Sequence, residues 1–234
     1  MRLDKLVADA ASMTRKEARE QIKKGSVEIN GEIVRDAAKQ VDEKSELKVL
    51  GKIVCYSEFI YIMLNKPAGF ITAKRDKNKK TIFDLLDPSL KRYDLSPVGR
   101  LDIDTEGFVL LTNDGQMTHS LLSPNKNVGK TYYVKFSAPA SDSDLEKLES
   151  GVDIGFITKP AKVKRLGESE IHLTITEGKF HQIKRMAHEI NNEVAYLKRL
   201  SYGELYLDES LKKGEYRHLS SEEIEKIYNV DKIK

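Results

Sequence analysis

The sequence has one cysteine, no long apolar run, no internal repeat and little excess charge, and these shortages exclude several classes of protein. Cys55 is alone among 234 residues, so no disulfide can form within the chain, and a reducing compartment is expected. The apolar run FIYIML, residues 59–64, is far too short to span a bilayer, and the N-terminal MRLDKLVADA lacks the apolar core of a signal peptide. The sequence therefore predicts a soluble, cytoplasmic protein with no membrane partner.

Net charge and length constrain the protein only loosely. Forty basic residues against 37 acidic ones leave a net charge of +3, which is a weak argument for a polyanionic partner, so the distribution of charge must decide. The length allows one large domain, or a small domain joined to a medium one. We predict two domains, residues 1–55 with a linker at the end, and residues 56–234.

The first fifty residues have the pattern of two helices followed by a hairpin. Apolar residues at positions 3, 6, 7 and 10 repeat with helical spacing. Thr14 and Glu17 have the spacing of a capping box for a second helix, and Gly25 can end that helix in a left-handed conformation. VEINGEIV follows, and its Asn30-Gly31 predicts a hairpin because both turn positions need positive φ.

Basic residues are concentrated in this small unit. Arg15, Arg19 and Lys23 recur at i, i+4 and i+8, and this basic stripe is either a solvated helix face or a phosphate-contacting surface. Few acids share that face, which favours RNA contact. The candidate RNA-binding residues are Arg2, Lys5, Arg15, Lys16, Arg19 and Lys23, with Lys24 beside them. The basic tract KRDKNKK, residues 74–80, is interpreted as a mobile loop, either solvated or in contact with nucleic acid.

The remainder of the chain mixes short β-rich runs with fewer helices. Strands are predicted at FIYIML, FVLLT, KTYYVKF, IHLTIT and VAYLKRL, and helices at DLEKLES, FHQIKRMAHEI and SSEEIEKIY. In the second of these helices Ile183, Met186, Ala187 and Ile190 form the buried stripe, which leaves Lys184 off it. Because strands and helices do not alternate strictly, we predict an α+β domain on a mainly antiparallel sheet.

GRLDIDTEGFVLLTNDG, residues 99–115, contains four acids close together. As a calcium loop it fails, because the twelfth position is Asn113, where a bidentate Glu is needed, and two other ligand positions fall within the apolar FVLL. As an Asp-x-Asp-x-Thr phosphatase motif it also fails, because Thr105 directly follows Asp104. The five histidines are scattered, so no metal site is predicted.

The four acids therefore need separate interpretations. Asn113-Asp114-Gly115 is interpreted as a tight turn that closes the strand FVLLT. Asp104 and Glu106 precede a glycine, and either serve a turn or remain exposed. Asp102 lies beside Arg100, whose charge favours the ionised carboxylate, and it is either part of a surface ion pair or a functional group.

Two resemblances to known families bear on these alternatives. RLDKLVADA and TRKEAREQIKKGSVEINGEIV resemble the S4 RNA-binding domain, which implies binding of structured RNA over roughly residues 1–50. NKPAG, GRLDIDTEGFVLLTNDG, KTYYV and EGKFHQIKRM, in that order, resemble the RsuA-type pseudouridine synthases. That family implies conversion of one uridine of ribosomal RNA to pseudouridine, without a metal or organic cofactor.

The resemblance also implies roles for individual residues. Asp102 would be the catalytic carboxylate, and Lys184 its positive partner, where the wider superfamily usually has an arginine with a bidentate fork. The other candidate substrate-binding residues are Tyr132, as the aromatic face for the base, Arg100 and Lys66. The alternatives are that Tyr132 belongs to the hydrophobic core and that Lys184 is an ordinary surface lysine. Tyr133 should point to the opposite side of its strand.

The expected substrate is small-subunit (16S) rRNA, within an assembly intermediate and acted on by a monomer. The chain ends soon after SSEEIEKIY. In this respect it is more similar to the small-subunit enzyme than to relatives with longer basic tails. The alternatives are modification of 23S rRNA and a ribosome-assembly factor that binds RNA without catalysis. Intact GRLD, KTY and HQIK blocks argue against the assembly factor.

Overall fold

The computed structural model describes residues 1–11, 13–54 and 56–229, and it divides into two compact units, Met1–Phe59 and Ile60–Lys234. Cys55, which carried the argument about redox compartment, lies outside the described residues. Within the described residues, no helix is both long enough and apolar enough to cross a membrane.

The first unit contains the two helices and the hairpin that the sequence predicts. Its elements are α1 (Leu3–Ala10), α2 (Arg15–Lys24), β1 (Val27–Ile29), β2 (Glu32–Ile33), β3 (Leu47–Val49) and β4 (Lys52–Val54), and the sheet order is β2-β1-β3-β4. The capping box of Thr14 and Glu17 is present, so this prediction is confirmed. Asn30 and Gly31 both have positive φ, and Ile29 pairs with Glu32 across the turn, as predicted for the hairpin.

The second unit is built on one large sheet. Its strands are β5 (Tyr61–Lys66), β6 (Ser96–Pro97), β7 (Glu106–Thr112), β8 (Lys130–Phe136), β9 (Lys162–Arg165), β10 (Glu170–Ile175), β11 (Val194–Tyr202), β12 (Leu205–Tyr206) and β13 (Tyr216–His218). The strand order is β13-β5-β7-β11-β8-β10-β9, with β6 on β7 and β12 on β11. All of these pairs are antiparallel except β7 with β11.

Helices cover the two faces of this sheet unequally. They are α3 (Gly115–Leu122), α4 (Asp142–Ser150), α5 (Gln182–Glu189) and α6 (Ser221–Asn229), with 3₁₀ turns at Ile82–Leu85, Pro88–Tyr93 and Pro124–Lys126. Apolar residues of α4, α5 and the first two 3₁₀ turns pack on one face, and those of α3 and α6 pack on part of the other. The predicted α+β class is confirmed.

One local prediction is wrong. Asn113-Asp114-Gly115 is not a tight turn: Asp114 is the N-cap of α3 and accepts a hydrogen bond from the backbone N–H of Met117 at 2.9 Å. The local signal did not reveal that the residues after it continue as a helix. The tract at residues 74–80 is a loop, as predicted, and in it the carboxylate of Asp76 accepts hydrogen bonds from the backbone N–H groups of Asn78 and Lys79, both at 2.9 Å.

Gly107 is required where β7 meets β11. Its φ is +97°, and a Cβ at this position would collide with the carbonyl oxygen of Arg199 on β11. Glycine alone accepts both the positive φ and the close approach of the neighbouring backbone. This residue therefore fixes the start of β7, directly after the loop that carries Asp102.

Candidate active site

The loop that carries Asp102 joins β6 to β7 and is held from the protein interior. Lys66, at the end of β5, is fully buried, and its Nζ donates to the carbonyl oxygens of Asp102 at 3.1 Å, Ile103 at 3.3 Å and Thr105 at 2.8 Å. A fourth bond reaches the carbonyl of the adjacent Pro67 at 3.1 Å. One ammonium group thus fixes the backbone of the loop from Asp102 to Thr105.

This environment changes the interpretation of Lys66. The sequence predicted a contact with substrate, but the side chain has no exposed surface and its N–H groups are directed at the loop carbonyls. Burial lowers the pKa of Lys66 to about 8, because the charged form is disfavoured away from water, although nearby carboxylates oppose this. Its contacts make Lys66 a positioning residue for the loop.

Asp102 and Asp104 share a cation. Lys184, on α5, places Nζ 3.6 Å from Oδ2 of Asp102, and only 2.7 and 2.6 Å from the two carboxylate oxygens of Asp104. Burial tends to raise the pKa of Asp104, but the hydrogen bond and charge of Lys184 outweigh it, so the pKa is lowered overall. The predicted partner of Asp102 is therefore near it, but binds Asp104 more closely.

His181 is a further neighbour of Asp102, and no role was predicted for it from the sequence. Its Nε2 lies 3.7 Å from Oδ1 of Asp102, and its φ of 50° places it in the left-handed region just before α5. Phe180 stacks on the His181 ring with 3.8 Å between the centroids, and 76% of Phe180 is exposed. The sequence did contain one signal for His181, because it precedes Lys184 by three residues, which is about one helical turn.

A cavity of about 70 Å³ opens beside Asp102. Tyr132, from β8, lines it together with Lys184 and His181, whereas Tyr133 lies on the other side of the strand against His172 and Tyr196. This opposite orientation of the two tyrosines was predicted, and it is confirmed. The remaining lining residues include Arg100, Leu101, Thr105, Ile175, Lys179, Gln182, Ile183 and Leu197.

Arg100 lies at the same cavity but does not pair with Asp102. Its side chain is exposed, and no ion pair joins these two residues within the described part of the chain. Adjacency in sequence was the basis for the predicted pairing. The basic side chains that lie within 4 Å of the Asp102 carboxylate are Lys184 of α5 and His181, just before that helix.

Glu106 is neither exposed nor part of a turn. It is 7% exposed and accepts hydrogen bonds from the Tyr196 hydroxyl at 2.6 Å and from Lys213 at 3.0 Å. These two hydrogen bonds give the carboxylate of Glu106, the first residue of β7, partners within the protein. Of the four acids in residues 99–115, only Asp102 and Asp104 therefore pair with Lys184, and of these two Asp102 lines the cavity.

In the first unit, an unexpected acid lies under the basic residues. Asp4 is fully buried and accepts hydrogen bonds from Arg2 at 3.1 Å, Arg15 at 2.9 Å and Arg19 at 2.8 Å. The pKa of Asp4 is held well below its usual range by Arg2, which has the largest effect, and by the two arginines of α2, although burial acts in the opposite direction. The inference that few acids share this face is corrected: Asp4 neutralises part of the charge and orients the three guanidinium groups.

Comparisons with known proteins agree with this architecture. The family described as RNA pseudouridylate synthase matches residues 60–189, which is more than half of the chain, and the S4 domain matches residues 1–47. The chain belongs to the RNA pseudouridine synthase family. It is therefore an isomerase with an N-terminal S4 domain.

Full-length relatives of this pseudouridine synthase include an uncharacterised RNA pseudouridine synthase of Bacillus subtilis, 50% identical over 96% of this chain and 97% of the relative. The ribosomal small subunit pseudouridine synthase A of Vibrio vulnificus is 41% identical over 97% of this chain and 100% of the relative. A crystal structure of a pseudouridylate synthase superposes with a TM-score of 0.69 at 38% identity, covering 97% of this chain and 99% of the other.

Proposed function

We propose that this synthase converts a uridine of 16S ribosomal RNA to pseudouridine, with Asp102 as the catalytic carboxylate. The observation that carries the proposal is the meeting of Asp102, Lys184 and Tyr132 at one cavity, from three distant parts of the chain. The small-subunit target is supported by the relative from Vibrio vulnificus, whose name assigns it to the ribosomal small subunit.

The reaction needs an oriented carboxylate and a held base. It breaks the bond from C1′ to N1 and forms one from C1′ to C5; N1 gains a proton and C5 loses one, so no net electron transfer occurs. Asp102 supplies the carboxylate, and Lys184 and His181 supply the nearby positive or polar groups that an enclosed anion requires. A freed uracil that stays stacked on Tyr132 can turn without leaving the cavity.

Lys66 and Arg100 support this reaction by positioning the loop and the RNA. Lys66 holds the loop so that the carboxylate of Asp102 faces the cavity. Arg100 is exposed at the cavity wall, where a guanidinium group can bind a backbone phosphate. We propose further that the protein acts as a monomer, and that its substrate is rRNA within a small-subunit assembly intermediate.

The target is tested by incubating the protein with unmodified 16S rRNA, unmodified 23S rRNA and small-subunit assembly particles. Pseudouridine is mapped by carbodiimide-dependent primer extension. We expect one new primer-extension stop in 16S rRNA. We also expect pseudouridine to form faster in the particles than in the free transcript. A stop in 23S rRNA alone contradicts the small-subunit target, and binding without a stop in any substrate supports a non-catalytic assembly factor.

The basic stripe of α2 gives a second prediction. Replacing Arg15, Arg19 and Lys23 together with glutamine should weaken rRNA binding and lower the slope of log Kd against log salt by about 2 to 3, because each lost phosphate contact removes about 0.9. Arg15 and Arg19 remain more than half exposed despite their bonds to Asp4, so they are available to phosphates. Binding is measured by filter retention over a range of salt concentrations.

The matched control removes three other exposed lysines of the same unit, Lys39, Lys44 and Lys52. It loses the same charge without touching α2. An equal change of slope in both variants would mean that the stripe acts only through net charge, and an unchanged slope would mean that it is a solvated face.

A further inference from the structure

Part of the sheet face opposite Asp102 is uncovered. On that face, α3 and α6 pack over Met63 of β5 and over Phe108 and Leu110 of β7. On β8 and β10 the same face is only half-buried, because alternate residues such as Thr131 and His172 are partly exposed. A solvated outer face is common for antiparallel sheets, so the side chains it carries must decide whether it binds something.

A groove of about 500 Å³ lies on this uncovered face. The strand register places Lys198, Tyr133, His172 and Lys164 in one row across four neighbouring strands. Lys162 lies two residues before Lys164. We call this surface the lysine groove and define it by Lys162, Lys164 and Lys198.

The lysines of the lysine groove are not paired with acidic side chains in the part of the chain that the structure describes. Within the described residues, none of its three lysines forms an ion pair. Two acids also line the groove: Asp208, which shares Arg217 with Glu223, and Glu209, which has no ion pair within the described residues. The lining therefore carries three lysine charges against two carboxylates, and none of the three lysines is paired with either of them.

Protection of a sheet edge does not account for all three lysines. Lys162 and Lys164 lie on β9, at the edge of the sheet, where lysines discourage pairing with another chain. Lys198 lies on β11, which is bonded to β7 on one side and β8 on the other. A half-buried lysine in the middle of the sheet needs another explanation, and binding of an anion provides one.

The groove also offers an aromatic surface. Tyr206 lines it and is 64% exposed, and the hydroxyls of Thr131 and Thr174 form part of its floor. Open antiparallel sheets that combine exposed aromatic rings with basic side chains hold single-stranded RNA by stacking bases and binding phosphates. We propose that the lysine groove is a second RNA-binding site, for a single-stranded segment of the same rRNA away from the target uridine.

This inference rests on the proposed function for the identity of the RNA. Lys162 and Lys164 bind neighbouring phosphates, Lys198 binds a phosphate farther along the segment, and Tyr206 stacks on one of its bases. The groove lies on the face opposite the Asp102 cavity, as the opposite orientations of Tyr132 and Tyr133 require. It therefore contributes affinity for long substrates without touching the reacting nucleotide.

The test compares two triple variants that lose the same charge. The groove variant carries Lys162→Gln, Lys164→Gln and Lys198→Gln. The control carries Lys91→Gln, Lys147→Gln and Lys226→Gln, at exposed helical positions that line neither the lysine groove nor the Asp102 cavity. Equal thermal midpoints for the two variants establish that both are folded.

Binding to a protein-free 16S rRNA transcript is measured against salt concentration. In the groove variant we expect Kd at about 0.1 M salt to rise at least tenfold, and the log–log slope to fall by about 2, because each single-strand contact contributes about 0.7. We expect the control to stay within about twofold of the wild type. Binding requires no turnover, so an inactive wild-type protein would refute the proposed function and leave this result interpretable.

Ultraviolet cross-linking of the wild-type protein to the transcript provides a measurement that no folding defect can affect. We expect an RNA adduct on the tryptic peptide of residues 200–212, which contains Tyr206. Equal binding by the groove and control variants, or no adduct on that peptide, overturns the proposal. A binding loss confined to assembly particles also overturns it, and assigns the groove to a ribosomal protein.

Discussion

Replacing Asp102 with asparagine is expected to reduce pseudouridine formation by at least about a thousandfold, and to leave rRNA binding nearly unchanged. Asparagine has the shape of aspartate but no charge, and the loop is held through its backbone carbonyls by Lys66, so the geometry should persist. What disappears is the ionised oxygen at the cavity. Single-turnover kinetics on 16S rRNA measure the loss, and filter binding measures the retained affinity.

Asp104→Asn is the matched control for this variant. Asp104 lies two residues away and binds the same Lys184, but its side chain is 62% exposed. Its loss should release Lys184 towards Asp102 and reduce the rate about tenfold or less. If Asp102→Asn keeps a rate similar to that of Asp104→Asn, Asp102 is not the catalytic carboxylate.

Replacing Lys66 with methionine is expected to lower kcat about 100-fold with little change in rRNA binding. Methionine fills the space but donates no hydrogen bond, so the buried carbonyls around Asp102 lose their donor, at a cost of about 1 to 3 kcal/mol for each one left unsatisfied. A carboxylate displaced by about 1 Å is enough for a rate loss of this size. Single-turnover rates and urea unfolding measure the two effects.

Lys130→Met is the control, because Lys130 is also buried and burial lowers its pKa to about 8 as well. Its Nζ donates to the carbonyl oxygen of Val128 and makes no bond to the Asp102 loop. This variant should change stability but leave kcat within a few-fold of the wild type. Equal losses of kcat in the two variants would show that Lys66 matters only as a buried residue.

The lowered pKa of Lys66 fixes the direction of the pH dependence. Between about pH 8 and 10.5 the unfolded chain retains the proton on Lys66, whereas the folded protein has released it. Because the unfolded state binds more protons, the free energy of unfolding of the wild type should rise with pH in this window, relative to Lys66→Met. Over the same window kcat should fall, since a neutral amine has only two N–H groups for four carbonyl oxygens.

Sequence patterns were sufficient where the determining interactions are local. The capping box at Thr14, the Asn30-Gly31 hairpin and the buried stripe of α5 all depend on residues within one or two turns of each other. Local pattern also misled at Asp114, where a turn signal was in fact a helix cap, stabilised by the Tyr61 hydroxyl 53 residues away at 2.9 Å.

The candidate site was only partly predictable for the same physical reason. Motif resemblance selected Asp102, Tyr132 and Lys184, but the ion pair between Lys184 and Asp104 joins residues 80 positions apart. Its geometry depends on how α5 packs on the sheet, which no local pattern encodes. The role of Lys66 was missed because burial of an ammonium group is rare, and is favourable only when several acceptors converge on it.

The amino-acid sequence by itself determined the family, the α+β class and four of the residues that line the cavity, Arg100, Asp102, Tyr132 and Lys184. Tertiary structure alone decided which cation faces which carboxylate: Lys184 lies between Asp102 and Asp104, Arg100 lines the cavity without pairing with Asp102, and Asp4 binds three arginines. Electrostatic partners depend on distances of a few ångströms and on exclusion of water, and both are set only when distant strands and helices pack together.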